Sequence, residues 1–291
     1  HKYWNYNNLE SIQQFLDYRK QYNIPIWLGE SGENSNVWFK DAIALMEKNN
    51  IGWCWWPLKK LGFNNPLEIQ VNPGYQLLLD YWSGSGDKPG QAEAFQALMQ
   101  LAENTKIENC IVHYDVIDAM IRQPQSQQAI PFKINRLENE LMIQAADYDL
   151  GTDGIAYHDT VSANYHISTG KERQSWNLGR TYRNDGVDIF RDNDGLIYVG
   201  DLQAEEWLKY TINVKEAGDY KLSLKVSSES DSGLISVNVN QLETSSFKIL
   251  ENSQGWNWTP PQQVKLNSGI NTIKLQIEQG GFNLESLKIS K

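Results

Sequence analysis

Two kinds of periodicity divide the chain. From Asn8 to Asn23 the apolar positions Leu9, Ile12, Phe15, Leu16 and Tyr22 recur near helical spacing, and Asn7, Asn8 and Glu10 supply capping and first-turn chemistry, so an amphipathic helix is predicted. Ile24-Pro25-Ile26-Trp27-Leu28-Gly29-Glu30 is a short apolar run whose Pro is tolerated only at the start of a strand, and it predicts a buried parallel strand. Residues 36–48 are again helical in spacing, and Ile51-Gly52-Trp53-Cys54-Trp55-Trp56 predicts a second apolar strand. A Pro-Gly turn leads into a helix over Tyr75–Trp82, which the run Ser83 to Gly90 breaks, and helical stretches follow at 91–104 and 113–122.

Beyond Leu141 the period changes to two. Leu208, Tyr210, Ile212 and Val214 share one face, as do Tyr220, Leu222, Leu224 and Val226, then Ile273, Leu275 and Ile277. Turn signals at Glu216–Asp219 and Asn267–Gly269 separate these runs, which predict a β-sandwich with one buried face per sheet. The chain therefore reads as multidomain: an α/β part over 1–125, a linker over 126–140 that opens on the polar stretch Gln123 to Ala129, and an all-β part over 141–291.

Composition narrows the partners. With 26 Lys and Arg against 36 Asp and Glu, a net charge of −10 and no basic cluster, the chain has no electrostatic footprint for nucleic acid or an anionic membrane. No apolar run approaches the roughly 20 residues that span a bilayer. Eleven Trp and fourteen Tyr exceed what a core of this size needs, and flat aromatic faces suit uncharged ring ligands such as sugars. Cys54 and Cys110 have neither disulfide-framework nor zinc spacing and are expected as buried free thiols.

One carboxylate stands out. The strand phase that points Ile24, Ile26 and Leu28 one way carries Glu30 with them to the carboxyl end of the strand, where a barrel does its chemistry. Gly29 before it permits close backbone approach, and the position alone fits a nucleophile or base as well as a loop residue on solvent.

The stretch Ile24 to Glu33 resembles the seventh barrel strand of glycoside hydrolase family 5, in which the Glu of a Gly-Glu pair is the nucleophile. His1-Lys2-Tyr3 is similar to that family's His-x-Tyr signature after the sixth strand, and Ile51 to Trp56 to its eighth strand, which ends in a sugar-supporting Trp. The resemblance covers residues 1 to about 80, with accessory helices to 125. It implies a partial TIM barrel, last strands and helices only, with Glu30 as nucleophile, His1 and Tyr3 supporting it, Trp56 as sugar platform with Trp55 as alternate, and Trp53 in the core. Retaining hydrolysis also requires a second carboxylic acid about 5–5.5 Å away. The family's Asn-Glu-Pro acid/base motif and its first five strands do not occur here, and Glu33 lies in the wrong element to substitute, so residues 1–291 by themselves are expected to be inactive and to be a fragment of a secreted enzyme.

Residues 141–291 resemble carbohydrate-binding module family 6, a jelly-roll sandwich, through Ile143–Tyr148, Ala156–Asp159, Tyr182–Ile189, Tyr198–Gly200, Glu206–Val214, Gly255–Trp258 and Gly281–Leu284. The family clamps sugar between two aromatic faces with an orienting Asn. Carried over, Trp258 is one wall with Trp256 as fallback, Tyr198 is the other and Asn283 the amide, while Trp207 belongs to the core. A structural calcium is usual in the family, and the matching positions here are Gln144 and Ala146 in the first strand and Glu285 in the last, one charged ligand where calcium wants several hard oxygens. The resulting expectation is a monomeric cellulase-like endo-β-glucanase that needs no cofactor for catalysis, acts on β-linked polysaccharide and carries a glycan-binding module. The alternatives are a non-catalytic carbohydrate-binding protein, or the same mechanism on mannan or xyloglucan.

Overall fold

The computed structural model describes residues 1–161, 163–164, 176–228, 233–250 and 255–291. In the first part, α1 (Gln13–Tyr22), α2 (Asn36–Lys48), α3 (Pro73–Ser83), α4 (Gln91–Asn104) and α5 (Tyr114–Ile121) alternate with short strands β1 (Trp27–Leu28), β2 (Gly52–Trp53), β3 (Lys59–Lys60), β4 (Leu67–Glu68) and β5 (Ile111–Val112). Ser35 starts α2 by accepting a bond from the Trp38 amide, and Asn72 starts α3 by accepting one from Tyr75, each satisfying an amide that the first helical turn leaves without a partner. Gly84 ends α3 at φ 80°, a left-handed conformation that glycine adopts without a Cβ penalty.

β1 and β2 pair in parallel across the α2 crossover, and Lys2 extends the pairing by a parallel bridge to Ser31. The predicted seven-residue strand is thus regular over only two residues, and it is covered on one side. Leu28 is buried with Ile12, Met46 and Ile51, whereas Trp27 is 66% and Ile24 50% exposed. On the covered side Trp38, Phe39, Ala42 and Ile43 of α2 pack against Val116 and Met120 of α5 and against Trp53 and Trp55. Cys54 has the opposite phase and is exposed, and Cys110 is half-buried, so neither is the buried thiol expected. A small sheet in the order β3-β4-β5 is unforeseen in the sequence.

The second part comprises β6 (Arg136–Leu137), β7 (Glu140–Gln144), β8 (Tyr157–His158), β9 (Ile189–Arg191), β10 (Ile197–Val199), β11 (Trp207–Val214), β12 (Gly218–Ser227), β13 (Gly233–Val239), β14 (Leu242–Ile249), β15 (Asn257–Trp258), β16 (Gln262–Leu266), β17 (Gly269–Gln279) and β18 (Asn283–Ser290). One sheet runs β15-β12-β18-β10-β9, with β16 on β12 and β7 on β18. The other runs β14-β13-β17-β11-β6, with β8 on β11. The alternating residues fulfil the predicted pattern: every member of the three inward sets is 4% exposed or less, and all join one continuous core. The boundary is corrected, because the expected linker is part of this body. β6 lies inside 126–140 and pairs with β11, its Leu137 is fully buried in the core, and Ile130 bridges Leu150. The apolar residues spaced along the stretch, Ala129, Ile130, Phe132 and Leu137, dock it.

Candidate functional sites

Glu30 sits where the parallel strands end. Its Oε1 accepts a 2.5 Å hydrogen bond from the Tyr3 hydroxyl and lies 3.2 Å from His1 Nδ1, while a third of its side chain stays open to solvent. Burial and the Glu30 carboxylate together push the Tyr3 phenol well above its ordinary range, so Tyr3 is a donor, and the oxygen it holds is fixed in direction. Ser31 secures the neighbouring strand by donating to the Lys2 carbonyl at 2.5 Å. Glu33 turns away at φ 52° and pairs with Lys60 Nζ at 2.7 Å. The three residues expected to cooperate from opposite ends of a 30-residue stretch are therefore in contact.

The tryptophans divide by phase. Trp55 packs edge-on to Phe39 at 5.0 Å and to Trp53 at 5.8 Å, so this alternate sugar platform is instead tied into the α2 core. Trp56 is 51% exposed, and its amide donates to the Ser31 carbonyl at 2.7 Å, one residue from Glu30. Gly32 is required at this approach, since a Cβ there would meet the Trp56 carbonyl at 2.1 Å.

In the sandwich the aromatic clamp takes a different form from the one expected. Tyr198 stacks on Phe190 at 5.6 Å, and Trp256 meets Tyr198 edge-on at 5.2 Å, so these rings form one continuous wall with no gap between them. Trp258, assigned as the wall, pairs with Lys225 and lines a separate apolar groove with Leu250 and Pro260. Two-residue alternation puts both Trp in one phase, and among the described residues it is Trp256 that meets Tyr198. Asn283 opens β18 opposite Ser227 and lines a cavity of about 240 Å³ with Asp201, Ser228 and Phe282. Gly200 leaves room there, because a Cβ would meet both Asn283 Oδ1 and the Phe190 ring within 2.9 Å.

A second groove of about 380 Å³ lies on the outer face of the other sheet, lined by Trp207, Lys209, Asn238, Gln241, Thr272 and Lys274. Lys274 Nζ stands 4.7 Å over the Trp207 ring. Trp207 is half-buried on this surface and does not lie in the core. The inward set that begins at Leu208 already implied it, since its neighbour in a strand must face the other way.

The calcium expectation does not fit the donors present. Glu285 Oε2, the charged ligand, is paired with Lys225 Nζ at 3.0 Å and accepts from Ser286 Oγ at 2.9 Å. The other matching positions are the neutral Gln144 and Ala146, and among the described residues no group of three or more His, Cys, Asp or Glu side chains could hold a metal ion.

The family model for carbohydrate binding module (family 6) matches residues 180–291. The match covers most of the sandwich from β9 onward. Similar solved structures include the C-terminal family 6 module of LamC, a marine laminarinase from Zobellia galactanivorans, at 23% identity over 53% of this chain and 100% of that one, TM-score 0.38. A module from Clostridium stercorarium in complex with cellobiose is 13% identical over 55% and 98%, TM-score 0.38. One from the Cellvibrio mixtus lichenase 5A in complex with cellotriose is 19% identical over 56% and 98%, TM-score 0.34. No curated protein matches the chain. The all-β fold of the second part is as expected.

Proposed function

We propose that residues 1–125 are the carboxyl-terminal part of a family 5-type (β/α) barrel and that the parent protein is a secreted retaining endo-β-glucanase whose module holds it on β-linked polysaccharide. The observation that carries this reading is the convergence of Tyr3 and His1 on one oxygen of Glu30 at the carboxyl end of parallel strands. Glu30 attacks the anomeric carbon through its second oxygen while Tyr3 and His1 hold the first. The covalent glycosyl-enzyme is then released by water. The general acid is assigned to a residue of the parent outside 1–291, because the other nearby carboxylate, Glu33, is committed to Lys60. Trp56 offers an exposed ring beside the nucleophile, and the Phe190–Tyr198–Trp256 wall with Asn283 offers stacking area plus an amide for sugar hydroxyls. The Trp207–Lys274 groove is assigned as a second glycan surface on the same chemistry. Tethering raises local substrate concentration without altering the bond-breaking step.

The test is hydrolysis of soluble and insoluble β-glucans by the parent with Glu30→Gln. A loss on the order of 10³-fold or more in kcat is expected for an amputated nucleophile. Undiminished hydrolysis, with binding by the module intact, would instead establish a carbohydrate-binding protein whose first part is scaffold.

A further inference from the structure

The loop that leaves Glu30 runs directly into a junction with the sandwich, and the side chains at its centre are polar and buried. Asn34, Asn36, Asp115, Arg183, Asn184 and Asp185 are each 2% exposed or less. Asn184 on the sandwich side donates from Nδ2 to the Asn34 carbonyl at 2.9 Å and to Asn36 Oδ1 at 3.1 Å, and its amide donates to Asp115 Oδ2 at 2.8 Å. In return the Asn36 amide donates to the Asn184 carbonyl at 3.0 Å, and Asn36 Nδ2 bridges Asp115 Oδ2 at 2.8 Å and Asp185 Oδ1 at 3.0 Å. Arg183 supplies the counter-charge, its NH2 2.8 Å from Asp185 Oδ2. Ser35, the cap of α2, donates from its hydroxyl to the Ala163 carbonyl.

This clasp leads back to the candidate nucleophile in two steps. Asn34 Nδ2 donates to the Tyr3 carbonyl at 2.8 Å, and the Tyr3 hydroxyl donates to Glu30 Oε1 at 2.5 Å. Buried polar groups tolerate few arrangements, because a displaced partner leaves an unpaired donor or charge, so a connected network of them holds one geometry. A flexible tether has the opposite character: exposed, polar and crossed by few contacts.

We propose that Asn184 of the sandwich is a positioning residue for the Glu30 centre, acting through Asn34 on Tyr3, so that the glycan-binding module is also a structural support of the strand-end loop. The mechanical claim stands on the hydrogen bonds alone. Its catalytic meaning rests on the reading of Glu30 as nucleophile.

The test uses the 291-residue chain with ¹³C-labelled tyrosine, the Tyr3 resonance being assigned by its loss in Tyr3→Phe, together with hydrogen exchange. In the unaltered chain Tyr3 stays protonated far above the ordinary phenol range, as burial and Glu30 require. Asn184→Ala is expected to bring its ionisation down toward the ordinary value near 10. It should also speed exchange over residues 1–6 and 30–36 roughly tenfold, while β17 and β18 stay protected. An unchanged Tyr3 titration with faster exchange confined to 176–188 overturns the proposal. Should Asn184→Ala deprotect β17 and β18 as well, Asn184→Ser, which retains a hydroxyl but cannot reach Asn34, is read by the same two criteria. No turnover is involved, so failure of Glu30→Gln to abolish hydrolysis would remove the glucanase reading and leave this result standing.

Discussion

The sandwich and the part before it use the same apolar residue types to different ends. In the sandwich two sheets face each other, and each inward side chain meets partners from both, so Leu208, Tyr210, Leu222, Leu275 and Ile277 all fall to 2% exposure or less. In the first part β1 and β2 have a layer on one side only: Leu28 is buried, whereas its strand neighbour Trp27, of opposite phase, stays 66% exposed. Apolar pattern alone therefore does not specify burial. A second layer has to exist for the pattern to be used, and an uncovered sheet face of this size is otherwise rare on a globular protein.

Substitutions can sharpen or break that contrast. The largest effect is expected from Leu275→Ala, which empties a fully closed site: about 3–5 kcal/mol in urea unfolding, against about 2 kcal/mol or less for Leu28→Ala on the half-covered strand. Equal costs would mean that the two cores are equally closed.

Next is a pH effect inside the sandwich. Burial, then the neighbouring Glu206 carboxylate, pushes Asp159 up to about 8. The native state thus keeps a proton that the unfolded chain releases above about 4, so stability falls as pH rises from about 4 to about 8. Asp159→Asn keeps the acceptor used by the Val161 amide and removes the ionisation. Its advantage over the parent residue should grow toward pH 8 by up to about 1 kcal/mol per pH unit, measured as urea midpoints at pH 5, 6.5 and 8. A pH-independent difference would contradict the burial of this carboxyl.

For the binding wall, Trp256→Ala is expected to weaken retention in affinity electrophoresis on β-glucan about tenfold, and Trp258→Ala less than about threefold. The reverse order would restore Trp258 as the wall. The smallest effect is expected from chelation: with Lys225 already neutralising Glu285, excess EDTA should move the melting temperature by less than about 1 °C, and a larger drop would show that a bound metal had been removed.

Much of this was legible in the chain. Helices at 36–48 and 91–104 end where their spacing ends, and the period-two sets of the sandwich landed inward without exception. Glu30 was nameable from strand phase, whereas Tyr3 and His1 were nameable only through the resemblance to the His-x-Tyr signature of family 5. What stayed hidden depends on neighbours far away in sequence. Trp256 and Trp258 have the same phase, and it is the contact with Tyr198 that separates the two. Lys225 beside Glu285 is a cross-strand coincidence of β12 and β18. The Asn34–Asn184 clasp joins residues 150 apart, and nothing in either asparagine's local pattern points to the other.

The strand that the connecting segment lends to the sandwich has a practical corollary. Because Leu137 fills the interior and Ile130 is bridged to Leu150, an excision point placed between 130 and 140 does not free an intact module but amputates one of its edges. Whoever wishes to study glycan recognition in isolation should begin the gene segment upstream of Ile130. Swapping such modules between enzymes means transplanting that preceding stretch along with them.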